Sequence, residues 1–416
     1  MATASTTQNP IEPTAAAPDA EATRPSPPPL SHWRRFPAET GEWFEPLDVA
    51  RGRAYHAPLH RLGRIRVGLG AAVLLAFIAG HVGPRLVAAT SPSSWVAELV
   101  VVVVALHATT LVYAPWFAAH RSLFYDRRWG LSTQTLVGFL VDQAKQLGVA
   151  LVASLVVLVP LYAVIRSTGA WWLFGWLVTA GLTVVFGFVY PVVIAPVFNR
   201  FSQLDDEVLA ARLRALAERA GLDVERVLVA DASRRSRAAN AYVAGLGPTR
   251  RVVLFDTLLD WPHEVIEQVV AHELGHWHHA HLRRRLPVVV ISQLVAFVLA
   301  WAVLGWDPLL RFAGVSHPGE PASLPVLVTV LAVGLTVTGV ASSWLTRADE
   351  RQADLFALDL VGSPGSLIEA LHRLARRNRA DVDPSRWKRL VASHPPVAER
   401  MAMAEAWLER KEPDQG

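Results

Sequence analysis

The chain has no cysteine in 416 residues. That absence excludes disulfides, thiolate metal ligands and a thiol nucleophile together, so a metal site here must be built from His, Asp and Glu. Lysine is nearly absent too: Lys145, Lys388 and Lys411 stand against 37 arginines. Charge is scarce overall. Asp, Glu, Lys and Arg make up 18% of the chain, 52% is hydrophobic and the mean hydropathy is +0.29, whereas soluble domains run at about 25% charged. This balance marks a membrane protein with room for several spans and one sizeable polar domain. The net charge of +4 comes from arginines clustered beside apolar runs. Flanks of membrane spans account for them; no recognition motif accompanies them, and no nucleic-acid partner is expected.

Residues 1–30 are rich in Ala, Thr, Pro and Glu and read as a disordered tail without the basic-then-apolar order of a signal peptide. Residues 31–198 read as a polar, basic segment followed by four spans near 67–89, 96–118, 147–165 and 171–194. Residues 286–345 hold two more, near 286–305 and 324–345. Arg61, Arg64, Arg66, Arg121, Arg127, Arg128 and Lys145 lie on one side of these spans; Arg85, Arg166 and Arg311 lie on the other. The positive-inside rule therefore places both termini and the polar domain in the cytoplasm of a cell-membrane protein in contact with the lipid bilayer. The polar domain is split into 199–285 and 346–416, and the two pieces must meet in space. In the first piece, Asp205–Ala220 reads as an amphipathic helix, segments from Arg226, Asn240 and Arg251 read as strands, and a helix starts after Trp261-Pro262. The fold class expected is mainly α, with a small α+β domain on a polytopic membrane body.

The chemistry concentrates in His272-Glu273-Leu274-Gly275-His276. Four-residue spacing puts both imidazoles on one helix face, where a single Zn²⁺ can accept both. Glu273 can then face the metal's water and take its proton. A third ligand is needed from a separate helix, and Glu350 is the candidate, with Asp349 as its rival. Asp354, one turn beyond Glu350, favours that choice, because it can accept a hydrogen bond from a ligand imidazole and fix its tautomer. His278 and His279 read as interfacial polar residues.

With these residues in view, the chain resembles the CAAX prenyl protease family of the sterile-24 type. Six segments carry the resemblance in consistent order: Arg128–Gln134, Pro191–Phe201, Ser236–Tyr242, His272–Trp277 with His281, Glu350-x-x-x-Asp354, and His394–Arg400. The resemblance implies a zinc endopeptidase whose helices ring an intramembrane chamber. It implies zinc, one per chain, on His272, His276 and Glu350, with Glu273 as general base and later proton donor. It places Asn240, with Ala241 and Tyr242, on the strand that pairs with a peptide or membrane-protein substrate. It gives His394 and Arg400 hydrogen bonds to substrate or oxyanion. A chamber would suit polar residues in apolar helices such as Asp142 and Gln143. The family has seven spans, against six read here, with its first one absent. A monomer is expected. Two other readings stay open: a quality-control protease for damaged membrane proteins, and a non-catalytic metal-binding membrane protein, against which the non-ligand Glu273 argues.

Overall fold

The computed structural model describes residues 40–245 and 250–411, so the expected tail at 1–30 lies outside the described residues. Helix α1 runs over Pro46–Ala79 and stops at Gly80–His81, where His81 takes φ +49°. Helix α2, Trp95–Leu111, is capped by the Ser94 hydroxyl on the Ala97 N–H at 3.3 Å. It bends by 42° and continues through Ala114–Arg128 as one broken span. Helices α3, Leu136–Ser167, and α4, Trp171–Val189, follow.

The polar domain then begins with strand β1, Phe201–Gln203, and helix α5, Glu207–Arg219, whose first turn is capped by Asp206 on the Leu209 N–H at 2.8 Å. Strands β2, Arg226–Ala230, β3, Ala241–Ala244, and β4, Arg251–Phe255, complete a four-stranded sheet in the order β1-β2-β4-β3. β2 and β4 are parallel; the other two pairings are antiparallel, which leaves β3 as an edge. Helix α6, His263–His278, is separated from helix α7, His281–Leu304, by a single reversal at Ala280 with φ +51°. Helix α8, Leu324–Val361, is unbroken. Helices α9, Pro364–Arg377, α10, Arg386–Val391, and α11, Val397–Lys411, end the described chain.

Among the described residues five helices are long and apolar enough to cross a membrane, or six when the bent pair is taken as one span. Each packs on the next: α1 on α2, α2 on α3, α3 on α4, α4 on α7, α7 on α8, and α8 back on α1. A solid bundle would bury one stripe of every helix. Here none of the apolar stretch of Trp171–Phe198 is buried, and 6% of that in α1. The helices form a ring around a chamber, and one recess of it, about 280 Å³, lies between α1, α2, α3 and α8. The end away from the sheet is plugged by buried Leu99, Tyr162, Phe297, Leu304 and Leu327, with the Tyr162 hydroxyl 2.9 Å from Ser323.

The domain core lies between the sheet and helices α5 and α6. Leu209, Leu213, Leu216, Ile266, Val270 and Leu274 are buried against Val252 and Leu254. Each such side chain contributes about 1.5–3 kcal/mol through its burial. This core fixes α6 against the sheet.

Several boundaries differ from those expected. The first membrane helix starts at Pro46 and ends at Ala79, rather than spanning 67–89, because its polar first turns pack on the C-terminal helices, with His56 Nε2 2.9 Å from the Arg379 carbonyl. The boundary expected at 345/346 falls inside α8, since Ala, Leu, Arg and Glu through that stretch sustain a helix. Asp142 does not line the chamber. It is buried, accepts from Gln134 Nε2 at 3.0 Å and pairs with Arg235 at 2.6 Å, tying α3 to the loop that leads into β3.

Candidate metal centre and active site

Two helices build the centre. α6 brings His272, Glu273 and His276 on successive turns, and α8 brings Glu350 and Asp354. Their approach is close because residue 275 is glycine: a Cβ there would stand 3.0 Å from Ala353 Cα and 3.1 Å from its carbonyl oxygen. One ligand atom from each of His272, His276 and Glu350 falls within a 4.8 Å cluster. The two Nε2 atoms are 3.2 Å apart; that of His272 lies 3.4 Å from Glu350 Oε2 and that of His276 3.4 Å from Glu350 Oε1. Ligand bonds of about 2.0–2.1 Å at tetrahedral angles give ligand–ligand edges of roughly 3.3–3.4 Å. The donor set therefore fits one small divalent ion with a fourth position free.

Behind these groups sits a second layer. His272 Nδ1 is 2.8 Å from Asp354 Oδ1, and Asp354 is held by Arg400 Nε at 2.7 Å and Nη2 at 2.6 Å. His276 Nδ1 is 2.9 Å from His281 Nδ1, and His281 Nε2 is 3.1 Å from Gln352 Oε1. Each candidate ligand imidazole thus has its non-ligand nitrogen engaged, which fixes ring orientation.

The electrostatics follow the charges. Burial opposes a proton on His272, but Asp354 and Glu350 outweigh it and hold that pKa at about 10. Burial and the neighbouring His272 push His276 down to about 4. Burial opposes ionisation of Asp354, yet the Arg400 charge, with His272, holds it down at about 2. Glu350 is likewise held well below the usual carboxylate range against its burial, by His272 and His394. The carboxylates that favour a proton on His272 equally favour a dication between the rings. Glu273 behaves oppositely: burial pushes its carboxyl up. Among the described residues it has no hydrogen bond or ion pair, while its charged neighbours are His272, Glu350, Arg400 and His394. Glu273 is thus a half-buried carboxylate without a hydrogen-bond partner among the described residues, beside the three candidate metal ligands.

The remaining expected residues are distributed unevenly. Asp349, the rival ligand, is turned away and pairs with Arg285 at 2.5 Å. His394 is exposed, with Nδ1 2.7 Å from Glu350 Oε2. Arg400 is mostly covered, its side chain 13% exposed, and it pairs with Asp354. His278 lies 3.2 Å from the Ala220 carbonyl and packs on Phe356. The Phe255 N–H donates to the Asn240 carbonyl at 3.0 Å, which sets the phase of the β3–β4 ladder. Asn240, Tyr242 and Ala244 turn their backbone groups to β4; Ala241 and Val243 turn theirs to the open edge. Tyr242 therefore does not offer backbone to a substrate, and its ring packs edge-on against Phe255 on the far face. Sequence reasoning gave no role to Trp277, whose indole N–H donates to the outward Val243 carbonyl at 3.2 Å, nor to Asn378, which binds both N–H and C=O of Ala239 at the entry to β3. No spacing rule signals these, because each acts across the fold.

Two family models match the chain. One, described as CAAX prenyl protease N-terminal with five membrane helices, matches residues 30–200; the other, peptidase family M48, matches residues 203–408. The chain belongs to the CAAX prenyl protease family of M48 peptidases. Its relatives include the uncharacterized metalloprotease YhfN of Bacillus subtilis, 29% identical over 304 residues, covering 71% of this chain and 70% of that protein. CAAX prenyl protease 1 of Saccharomyces cerevisiae is 31% identical over 245 residues, 54% of this chain and 53% of its own. The crystal structure of S. mikatae Ste24p shares the fold, with a TM-score of 0.79 at 22% identity over 89% of this chain and 92% of that one. This CAAX prenyl protease family member is a multi-pass membrane metalloendopeptidase acting on peptides. Where the N-terminal family model has five membrane helices, the described residues of that region supply four: α1, the bent α2 span, α3 and α4.

Proposed function

We propose that the chain is a zinc endopeptidase that cleaves CAAX-type peptides, with His272, His276 and Glu350 holding the zinc. The observation that carries this reading is the set of 3.2–3.4 Å edges among those three donors, next to an unpartnered Glu273. Bound zinc would supply a Lewis acid that polarises the scissile carbonyl and acidifies water. Glu273 takes the water's proton and passes it to the leaving amine. The substrate adds as a strand to the open edge of β3, through the backbone of Ala241 and the N–H of Val243, with the Asn240 side chain exposed beside it. His394, with Nδ1 taken by Glu350, keeps its other nitrogen for substrate. Arg400 acts as a positioning residue by holding Asp354. The names of the relatives support CAAX processing over quality control of damaged membrane proteins. Arginine placement supports a catalytic domain and termini in the cytoplasm of the cell membrane. The test is Glu273→Gln. Zinc content should stay near one per chain while cleavage of a CAAX peptide falls by about 10²–10⁴-fold; unchanged cleavage would overturn the mechanism.

A further inference from the structure

Helix α10 is a short element that the peptidase chemistry leaves unused. Its sequence is Arg-Trp-Lys-Arg-Leu-Val. Trp387, Leu390 and Val391 stand at i, i+3 and i+4, on one face, and they are 80%, 54% and 57% exposed. Arg386 and Lys388 flank that face, and Arg389 points away from it. A soluble surface seldom presents a tryptophan so fully beside two aliphatic side chains.

The neighbours of α10 fix its depth in the membrane. On one side is α8: Arg347 Nη1 donates to the carbonyls of Leu390 at 3.1 Å and Ala392 at 2.9 Å. Arg347 lies two residues past the apolar run 324–345, which is about 3 Å along a helix. Exposed Trp344 marks the same level. On the other side is α1, where the Arg53 guanidinium pairs with Asp383, three residues before α10. The Arg347 contacts and the exposed Trp344 put α10 in the headgroup layer, beside the last helix of the ring. An apolar face with a tryptophan, flanked by cations at that level, has the composition of an interfacial helix.

We propose that the Trp387–Leu390–Val391 face of α10 docks into the lipid headgroup layer of the membrane that the chain itself spans, with the exposed Arg386 reaching anionic headgroups while Lys388 is held by Asp381 at 2.7 Å. The docking holds the segment leading to His394, since Arg347 ties the same helix end to α8.

The absence of cysteine makes a direct test simple. Single-cysteine variants W387C, L390C, V391C and R389C are spin-labelled in the full chain, reconstituted in vesicles of phosphatidylcholine with phosphatidylglycerol. Collision rates with oxygen and with a water-soluble nickel chelate are compared. Labels at 387, 390 and 391 should favour oxygen several-fold over the label at 389. Preference for the nickel reagent at all four positions would place the face towards water or the chamber and overturn the proposal. Shielding from both reagents would show a protein contact and overturn it too. The unsubstituted chain gives a check that no variant can disturb: a lipid-dissolved diazirine should label the peptide bearing Trp387, and failure to label it counts against the docking.

Discussion

Replacing Gly275 by alanine tests how the centre is assembled. A methyl there meets Ala353 Cα at 3.0 Å, its oxygen at 3.1 Å and Phe356 Cδ1 at 3.2 Å, where ordinary contacts lie at about 3.5–4.0 Å. Two of the three atoms are backbone of α8, a continuous 38-residue helix anchored in the membrane, so little can yield locally. α6 and α8 must part by roughly half an ångström. Glu350 lies one turn from Ala353, and its 3.4 Å edges to His272 and His276 would lengthen with that movement. Zinc tolerates about ±0.2 Å in its bonds. The expected result is a fall in zinc affinity of about 10–100-fold, the scale of losing an orienting partner. Alanine's helix propensity works the other way by about 1 kcal/mol, so weakened helix formation cannot explain such a fall. Affinity is measured by competition with a chelator of calibrated strength. Gly148→Ala, where nothing lies within 4 Å of the new methyl, serves as control. If Gly275→Ala holds zinc as tightly as the parent while Glu350→Ala loses it, the glycine contact does not set the cage.

Other outcomes follow from the same geometry. Glu350→Ala should lower the zinc content of purified protein, read by metal analysis, whereas Asp349→Ala should not, since Asp349 faces Arg285. Asp354→Asn should weaken zinc by about 10–100-fold. It should also alter acid stability: the native Asp354 pKa is depressed from 3.8 to about 2, so its contribution of roughly 2–3 kcal/mol is fully present above pH 3.8 and is lost as pH falls towards 2. Melting curves of the metal-free protein across that window should steepen with pH for the parent more than for the variant. Trp277→Phe frees the Val243 carbonyl; KM for peptide should change more than kcat, and an unchanged KM would argue against strand addition at β3.

Much of this site is legible in local sequence because an α-helix converts spacing directly into geometry. A spacing of four from His272 to His276, and from Glu350 to Asp354, sets each pair on one face whatever the rest of the chain does. Long apolar runs are as direct, since a bilayer needs about 20 of them. The zero cysteine count alone limited the ligands to His, Asp and Glu. Tertiary structure decided what spacing cannot reach. Asp354 faces His272 because α6 and α8 cross closely at Gly275, while His281 backs His276 because the reversal at Ala280 folds the start of α7 against α6. Asp142, read as lining a chamber, is instead claimed by Arg235, 93 residues away. Tyr242 turns its backbone inward because the ladder phase is set by β4. Arg400 and His394, near neighbours in sequence, divide into a mostly covered strut paired with Asp354 and an exposed imidazole beside Glu350. The physical reason is common to all four: hydrogen-bond partners distant in the chain are chosen by packing, and packing is a property of the whole fold.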